Sequence, residues 1–280
     1  IHTLPIEVLD MITAMDVEEY LSYLESYTKD GKLYTNREEG KARKLSSLKS
    51  FYDYYFKKNL IRTNPPRQVD VPKIKNKNII RLDPNEIAQL LDEAESGEKL
   101  SGRQLASHEK TKVRDVAILT LLLGTGIRVS ECVGLNLEDV DFNNGAIRII
   151  RKGGNEALIY FGDEVSQALE AYMNGPRKKD EPAAGHEEAL FISLNKTRIT
   201  TRSVERLVKK YSRLVTTVKK ITPHKLRSTF GTALYQETGD IYLVADTLGH
   251  KDVNTTKKHY AAIDEHRRRM AANVVKLRES

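Results

Sequence analysis

The chain has 280 residues, of which 30% are charged, 7% are aromatic and none is tryptophan, a composition typical of a soluble, helix-rich globular protein. Lysine and arginine outnumber aspartate and glutamate by 46 to 39, and the net charge of +7 favours a polyanionic partner such as nucleic acid, although a generic basic protein has the same balance. The one cysteine, Cys132, excludes an internal disulfide and suits the reducing cytoplasm. No apolar run reaches membrane-spanning length and no signal peptide is visible, so we expect no membrane association, and Ile1 in place of methionine predicts a trimmed N-terminus.

The first part of the chain predicts a small helical unit. Residues 16–27 and 36–59 carry apolar side chains at helical spacing and predict two helices joined by a turn at "KDGK". The proline-rich residues 63–78 stop the second helix and predict a linker. We assign the aromatic residues of "FYDYYF" to the core, since a duplex-binding protein rarely needs a base-stacking platform. The side chains predicted to face inward are Val17, Tyr20, Leu21 and Leu24 in the first helix and Leu45, Leu48, Phe51, Tyr52 and Tyr55 in the second.

The second part begins with a strong helix-start signal. Asp83 suits the N-cap, Pro84 suits the first helical position, and Glu86 completes a capping box. The polar residues 95–112 predict a surface loop, and the mostly apolar residues 113–126, which end at glycine, predict a central helix. The buried face predicted for the first of these helices consists of Ile87, Leu90, Leu91 and Ala94.

Residues 141–162 change period, because short β-branched runs alternate with Asn-Gly and Gly-Gly-Asn turns and predict two or three antiparallel strands. Residues 174–188 predict a loop. The fold class is therefore mainly α with one small antiparallel sheet (α+β), divided into two domains. Further helices are predicted at 201–215, 223–237, 240–247 and 255 to the end.

Several polar residues lie at structurally special points. Arg128 follows the end of an apolar helix, Lys152 lies at a hairpin tip, and His224 and Arg227 share one face of a helix start, where a phosphate would suit them. Taken singly, each has an ordinary explanation: a hairpin lysine is usually solvated, and an arginine usually pairs with a nearby acid. The candidates as a set are Arg128, Lys152, His224, Arg227, His250 and Tyr260.

Five motifs in order carry a family resemblance: "GTGIRVSE", "RKGG", "HKLRSTFGTAL", "LGH" and a tyrosine shortly after. Across residues 83–265 they resemble the tyrosine recombinase or phage-integrase family, including its Xer-type members, and the upstream "LKSFYDYYFKKNLIRTNPPRQVDVPKI" resembles the end of that family's core-binding domain. The resemblance implies a C-shaped DNA clamp. It comprises a helical, SAM-like core-binding domain over 1–65, a linker over 66–80, and a catalytic domain over 81–280 with a C-terminal oligomerisation helix.

The resemblance also implies a reaction that needs no metal, ATP or other cofactor. Arg128 and Arg227 would clamp the non-bridging oxygens of one DNA phosphodiester and offset the charge of the transition state. Tyr260 would attack phosphorus and leave a 3′-phosphotyrosine with a free 5′-hydroxyl.

Three other residues receive roles by the same resemblance, and a fourth receives one by its position in the sequence. His224 would exchange the phenolic proton, His250 would hydrogen-bond the scissile phosphate, and Lys152 would protonate the leaving 5′-oxygen. Glu131, one turn after Arg128, would orient that arginine. The sequence departs from the family at Ser228, where a second histidine is often found, and in a short N-terminal domain that lacks the usual first helix.

Basic side chains outside this set suggest where double-stranded DNA is held. They are Lys41, Arg43, Lys44 and Lys49 in one helix and Arg202, Arg206, Lys209 and Lys210 in another, although any single one could be only a solvated charge. The tail carries an apolar stripe that the resemblance assigns to packing on a neighbour in a homotetramer, with packing on its own domain as the alternative. The stripe consists of Ile263, Met270, Val274 and Leu277.

The predicted function is site-specific DNA recombination through a Holliday junction, in DNA integration or excision or in chromosome dimer resolution. A type IB topoisomerase uses similar residues, and a non-catalytic DNA-binding protein could keep the fold, but the filled candidate positions, the "LGH" histidine and the tail helix favour a recombinase. Tyr242 is the one serious competitor as nucleophile, and its place before the "LGH" histidine predicts a core position.

Overall fold

A computed structural model describes residues 6–73, 80–151, 153–250, 252, 253 and 256, with side-chain environments from residue 8 onward. Helices dominate this part of the chain, and the strands form two small antiparallel sheets. The mainly helical fold class predicted from sequence is thus confirmed. The chain divides into two compact units, Ile1–Asn78 and Ile79–Ser280. Among the described residues, no helix is both long enough and apolar enough to cross a bilayer.

The first unit contains two helices separated by a β-hairpin that the sequence analysis missed. Residues Asp30 and Gly31, with φ of 50° and 69°, form the tight left-handed turn for which Asp-Gly is a preferred pair. The hairpin starts shortly after the first helix, which therefore ends earlier than predicted. The elements are α1 (Ala14–Tyr23), β1 (Ser26–Lys29), β2 (Lys32–Thr35) and α2 (Glu38–Lys57).

The core of the first unit extends into the segment predicted as linker. Val69 is buried with Leu21 and Leu45, and the Lys49 ammonium donates a 2.8 Å hydrogen bond to the Val69 carbonyl. The beginning of the predicted 66–80 linker is therefore packed, because the 3₁₀ turn Pro65–Gln68 folds the chain back onto the helices. Tyr20 and Phe51, predicted to face inward, are exposed. Tyr54 and Phe56 are exposed as well, so the assignment of the whole "FYDYYF" run to the core was wrong.

The second unit is built around a long central helix. The helices at its start are α3 (Pro84–Ser96), α4 (Gly102–Thr125) and α5 (Val129–Gly134), and the predicted capping box of Asp83 and Glu86 begins α3. Residues 102–112, predicted as loop, instead form the first turns of α4. Their polar composition conceals a buried stripe of His108 and Thr111.

That stripe belongs to a buried polar network centred on Asp115. The Asp115 carboxylate accepts hydrogen bonds from the Tyr211 hydroxyl at 2.9 Å, the Thr111 hydroxyl at 2.9 Å and the Lys210 ammonium at 3.3 Å. The His108 ring contacts the same Tyr211 hydroxyl at 3.0 Å. Burial, followed by the nearby Asp115 charge, raises the pKa of Tyr211, and burial lowers the pKa of Lys210. The network joins two helices that are far apart in sequence.

The two or three antiparallel strands predicted within 141–162 are confirmed as one three-stranded sheet in the order β3 (Val140–Asp141), β4 (Ala146–Ile150) and β5 (Glu156–Tyr160). The helices that follow are α6 (Asp163–Tyr172), α7 (Thr201–Val215), α8 (Pro223–Thr238) and α9 (Ile241–Leu248). Helix α4 packs against α6 and α8, which places its C-terminal end beside α8. Cys132 is fully buried in this core, and burial raises the pKa of its thiol to about 12.

Candidate active site

Arg128 is held where α4 ends and α5 begins. Gly126 ends α4 in the left-handed conformation, with φ of 63°, and turns the chain toward Arg128. The Glu131 carboxylate then accepts two hydrogen bonds from Arg128, one from the backbone N–H at 2.6 Å and one from Nη1 at 2.8 Å. Glu131 is buried, so its charge is directed at Arg128 rather than at solvent.

Arg227 reaches the same place from α8. Its side chain is 6% exposed, and Nη1 donates a 2.5 Å hydrogen bond to the Gly126 carbonyl. Its Nη2 donates to the carbonyl of Leu248, the last residue of α9. Arg227 therefore ties the end of α4 to the end of α9, which also explains why a cation is stable at this depth.

The C-terminal end of α9 receives three guanidinium groups. Arg128 Nη2 donates to the Gly249 carbonyl at 3.2 Å, Arg227 donates to Leu248 as described, and Arg151 Nη2 donates to the Asp246 and Thr247 carbonyls at 3.3 and 3.2 Å. The last carbonyls of a helix lack helical partners and form the negative end of its dipole. Four successive carbonyls at one helix end thus hold three cations that would otherwise repel one another.

The two predicted histidines differ in setting. His250 follows Gly249, its backbone N–H donates to the Ala245 carbonyl at 2.9 Å, and its Nδ1 lies 2.6 Å from the Thr256 hydroxyl. This contact fixes the ring beside the arginine cluster. His224 lies in the first turn of α8 and is exposed, whereas Arg227 one turn later is buried.

A cleft of about 730 Å³ brings part of the predicted set together. It is lined by Arg128 and His250 from that set, and by Arg151, Asn155 and Gly249 from their surroundings. Arg227 lies behind this lining, where it bonds the helix ends. Lys152 and Tyr260, together with the tail stripe from Ile263 onward, lie outside the described residues.

Arg151 is the one member of the arginine cluster that the sequence analysis missed. It precedes Lys152 in "RKGG", the segment predicted to form the hairpin tip. Nothing local distinguishes it from Arg148 on the preceding strand β4, which forms an exposed ion pair with Asp139. Only the approach of α9 separates the two arginines.

The basic residues predicted to hold DNA divide into two groups. Arg43, Arg202, Arg206 and Lys209 are exposed, whereas Lys44, Lys49 and Lys210 are partly buried. Lys41 is a correction, because its ammonium lies 2.5 Å from Glu25 and 2.8 Å from Glu38 and is buried between them. The hydrogen bond to Glu25, then that to Glu38, raises the pKa of Lys41. Its charge is paired with these two carboxylates within the first unit.

Tyr242 was predicted to be core, and this prediction was wrong. The side chain is 71% exposed at the start of α9, because the buried face of this helix is formed by Val244, Ala245 and Leu248. Among the residues that the structure describes, no group of three or more histidine, cysteine or acidic side chains could hold a metal ion.

The sequence matches a family model and known proteins. Residues 80–267 match the model of the phage integrase family. The tyrosine recombinase XerC of Thermodesulfovibrio yellowstonii is 37% identical over 218 residues, which cover 77% of this chain and 69% of that protein. The tyrosine recombinase XerD of Oceanobacillus iheyensis is 29% identical over 259 residues, which cover 86% and 83% respectively.

Solved structures share the fold. The XerH site-specific recombinase bound to its difH substrate superposes with a TM-score of 0.67 at 22% identity, covering 94% of this chain and 70% of that one. The Tn1549 transposon integrase in complex with circular intermediate DNA gives a TM-score of 0.68 at 24% identity, covering 95% and 86%. The helical fold of this chain is thus shared with DNA recombinases. The chain belongs to the phage integrase family and is a tyrosine site-specific recombinase.

Proposed function

We propose that the protein recombines duplex DNA at specific sites by forming a 3′-phosphotyrosine at Tyr260 and passing through a Holliday junction. The observation that carries the proposal is the convergence of Arg128 and Arg227 on one helix end, next to His250. Two guanidinium groups from distant parts of the chain offer planar donor pairs that suit the non-bridging oxygens of one phosphodiester. The sequence contains every residue that the proposed cleavage requires.

The arginine clamp would act mainly on the transition state. Negative charge grows on the equatorial oxygens as the phenol attacks phosphorus, and donors already fixed in place stabilise it without reorganising. Glu131 and the Gly249 carbonyl hold Arg128 by its two Nη groups, so its position is set before DNA arrives. The Gly126 and Leu248 carbonyls do the same for Arg227.

Proton transfer is assigned to the remaining members of the set. A tyrosine phenol with a pKa of about 10 needs a proton acceptor at neutral pH, and His224 is proposed for this task. Lys152 donates a proton to the leaving 5′-oxygen, and His250 donates a hydrogen bond to the phosphate. The covalent phosphotyrosine conserves the energy of the broken bond, so rejoining to a new partner strand needs no ATP.

Covalent capture tests the nucleophile. The protein is incubated with a pool of nicked duplexes, denatured with detergent, and the DNA that remains attached is sequenced. We expect DNA attached through its 3′ end, loss of the signal in Tyr260→Phe, and an unchanged signal in Tyr242→Phe, the matched control on the exposed face of α9. Capture that survives in Tyr260→Phe and disappears in Tyr242→Phe would identify Tyr242 as the nucleophile and refute the assignment of Tyr260.

The assembly we propose is a homotetramer on double-stranded DNA. Residues 1–65 would bind DNA, 66–80 would link, and 81–280 would catalyse, with exposed Arg43, Arg202 and Arg206 contacting the duplex. The periodic apolar residues of the tail support packing on a neighbouring copy. DNA as substrate and a single buried cysteine support action in the cytoplasm.

Removing the tail after Asp264 tests this assembly. We expect the truncated protein to bind one site but to lose pairing of two sites and recombinant products. Full recombination by the truncated protein would contradict the role of the tail. Relaxation of supercoiled plasmid by the intact protein, without recombinants, would favour topoisomerase-like action instead.

A further inference from the structure

Arg151 occupies the base of the hairpin that joins β4 to β5. Its backbone N–H donates to the Asn155 carbonyl at 2.8 Å, and its own carbonyl accepts from the Gly154 N–H at 3.0 Å. The main chain of Arg151 therefore closes the loop in which Lys152 is the next residue. Whatever holds the Arg151 side chain also holds one end of that loop.

The Arg151 side chain is bound to the C-terminal end of α9. Its Nη2 donates to the carbonyls of Asp246 and Thr247. Gly249, with φ of +60°, lies directly against the guanidinium, and a Cβ at that position would come within 2.5 Å of the Arg151 Cζ atom. Glycine therefore suits the backbone conformation and also permits the close approach of the arginine.

This setting is not that of an ordinary structural arginine. Arg148, on the preceding strand β4, forms exposed ion pairs with Asp139 and Glu138 at 3.0 and 3.3 Å. Arg151, in contrast, has no carboxylate partner in the described part of the chain, and its buried Nε has no hydrogen-bond partner there. An unsatisfied buried donor disfavours folding, so stability alone does not account for the arrangement.

We propose that Arg151 is a positioning residue for the proton donor of DNA cleavage, an inference that rests on the role proposed for Lys152. In the cleavage step the Tyr260 oxygen bonds to phosphorus as the bond from phosphorus to the 5′-oxygen breaks. The phenolic proton passes to His224, and a proton of the Lys152 ammonium passes to the 5′-oxygen. Arg151 fixes the strand end before Lys152 to the helix end that also holds Arg128 and Arg227. The proton donor and the phosphate clamp thereby share one support.

Replacing the leaving oxygen by sulfur isolates this role. In a 5′-bridging phosphorothiolate the leaving group is a thiolate, whose conjugate acid has a pKa of about 8.5, so it departs without being protonated. On ordinary DNA we expect single-turnover cleavage to fall by about 10²–10⁴-fold in Lys152→Ala. We expect a fall of about 10–100-fold in Arg151→Ala. On the phosphorothiolate both variants should regain the wild-type rate.

Two controls accompany the experiment. Arg148→Ala removes an arginine from the preceding strand β4, and this variant should cleave both substrates normally. Arg128→Ala should stay slow on both, because a missing phosphate clamp is not replaced by a better leaving group. Arg151→Lys retains the positive charge but lacks the planar fork that bridges two carbonyls. If thermal melting shows that Arg151→Ala is misfolded, Arg151→Lys is used in its place. We expect it to be slow on ordinary DNA and restored on the phosphorothiolate as well.

The outcomes separate the two proposals. If Lys152→Ala recovers on the phosphorothiolate and the Arg151 variant does not, Arg151 acts on stability or on the phosphate, and the inference is overturned while the role of Lys152 stands. An Arg151 variant as active as wild type on ordinary DNA overturns it equally. If Lys152→Ala itself does not recover, the acid role of Lys152 fails, and the inference fails with it.

Discussion

Replacing Glu131 with glutamine tests how far Arg128 depends on its buried partner. The Glu131 side chain is 4% exposed, and its two oxygens accept separately from the backbone N–H and the Nη1 of Arg128. Glutamine keeps the shape but offers one oxygen and one NH₂ group. One of the two Arg128 donors would then face another donor.

The expected effect on stability is smaller than the effect on catalysis. A hydrogen bond to a charged group contributes about 1.5–3 kcal/mol. The Arg128 side chain is 37% exposed, however, and solvent screens the pair. We therefore expect the free energy of unfolding to fall by only about 1 kcal/mol. Cleavage should slow by about 10–100-fold, because the guanidinium loses its orientation toward the phosphate. That factor corresponds to about 1.4–2.7 kcal/mol of transition-state stabilisation.

The assay is single-turnover formation of the covalent complex at saturating protein, with urea unfolding measured in parallel. Glu138→Gln is the matched control, since it removes an exposed carboxylate nearby in the chain. A double-mutant cycle then decides the mechanism. If Glu131 acts through Arg128, the Arg128→Ala protein and the Arg128→Ala, Glu131→Gln protein should cleave equally slowly. A further slowing in the double variant, equal to that of Glu131→Gln alone, would refute the reasoning.

Three other predictions follow from buried positions. Asp115→Ala leaves the cations and hydroxyls of its network unpaired, so urea unfolding should show a loss of about 3–5 kcal/mol, and a loss below about 1 kcal/mol would contradict the network's role. Gly126→Ala strains a left-handed residue and places a Cβ 2.3 Å from Phe230, so stability should fall by about 2 kcal/mol or more together with cleavage; an unchanged cleavage rate would mean that the Gly126 turn does not position Arg227. Burial raises the pKa of the Cys132 thiol from 9.0 to about 12 in the folded state. The contribution of this thiol to the free energy of unfolding is therefore fully present below about pH 9 and is lost as pH rises toward 12. The stability difference between wild type and Cys132→Ala should therefore fall by about 1.4 kcal/mol from pH 8 to pH 10, and a constant difference would contradict this.

Local chemistry accounts for the features that could be predicted from sequence. The capping box at Asp83, the glycine stop at Gly126 and the turns of the three-stranded sheet depend on residues within a few positions of one another. The family motifs are equally local, and their order along the chain was enough to identify the class of enzyme. The first hairpin had the same kind of signal in Asp30-Gly31, which was treated only as a turn.

The features that could not be predicted depend on partners that are distant in the chain. The polar start of α4 is helical, with His108 and Thr111 buried, because these two side chains bond to Tyr211 and Asp115. Lys41 is withdrawn from solvent because Glu25 lies opposite it. Tyr242 is exposed because a different face of α9 packs inward. Arg151 and Arg148 look alike in sequence, since both follow apolar strand residues. What distinguishes them is the negative end of α9, whose last carbonyls accept from only one of the two. That contact exists only once the tertiary fold has brought the helix to the hairpin.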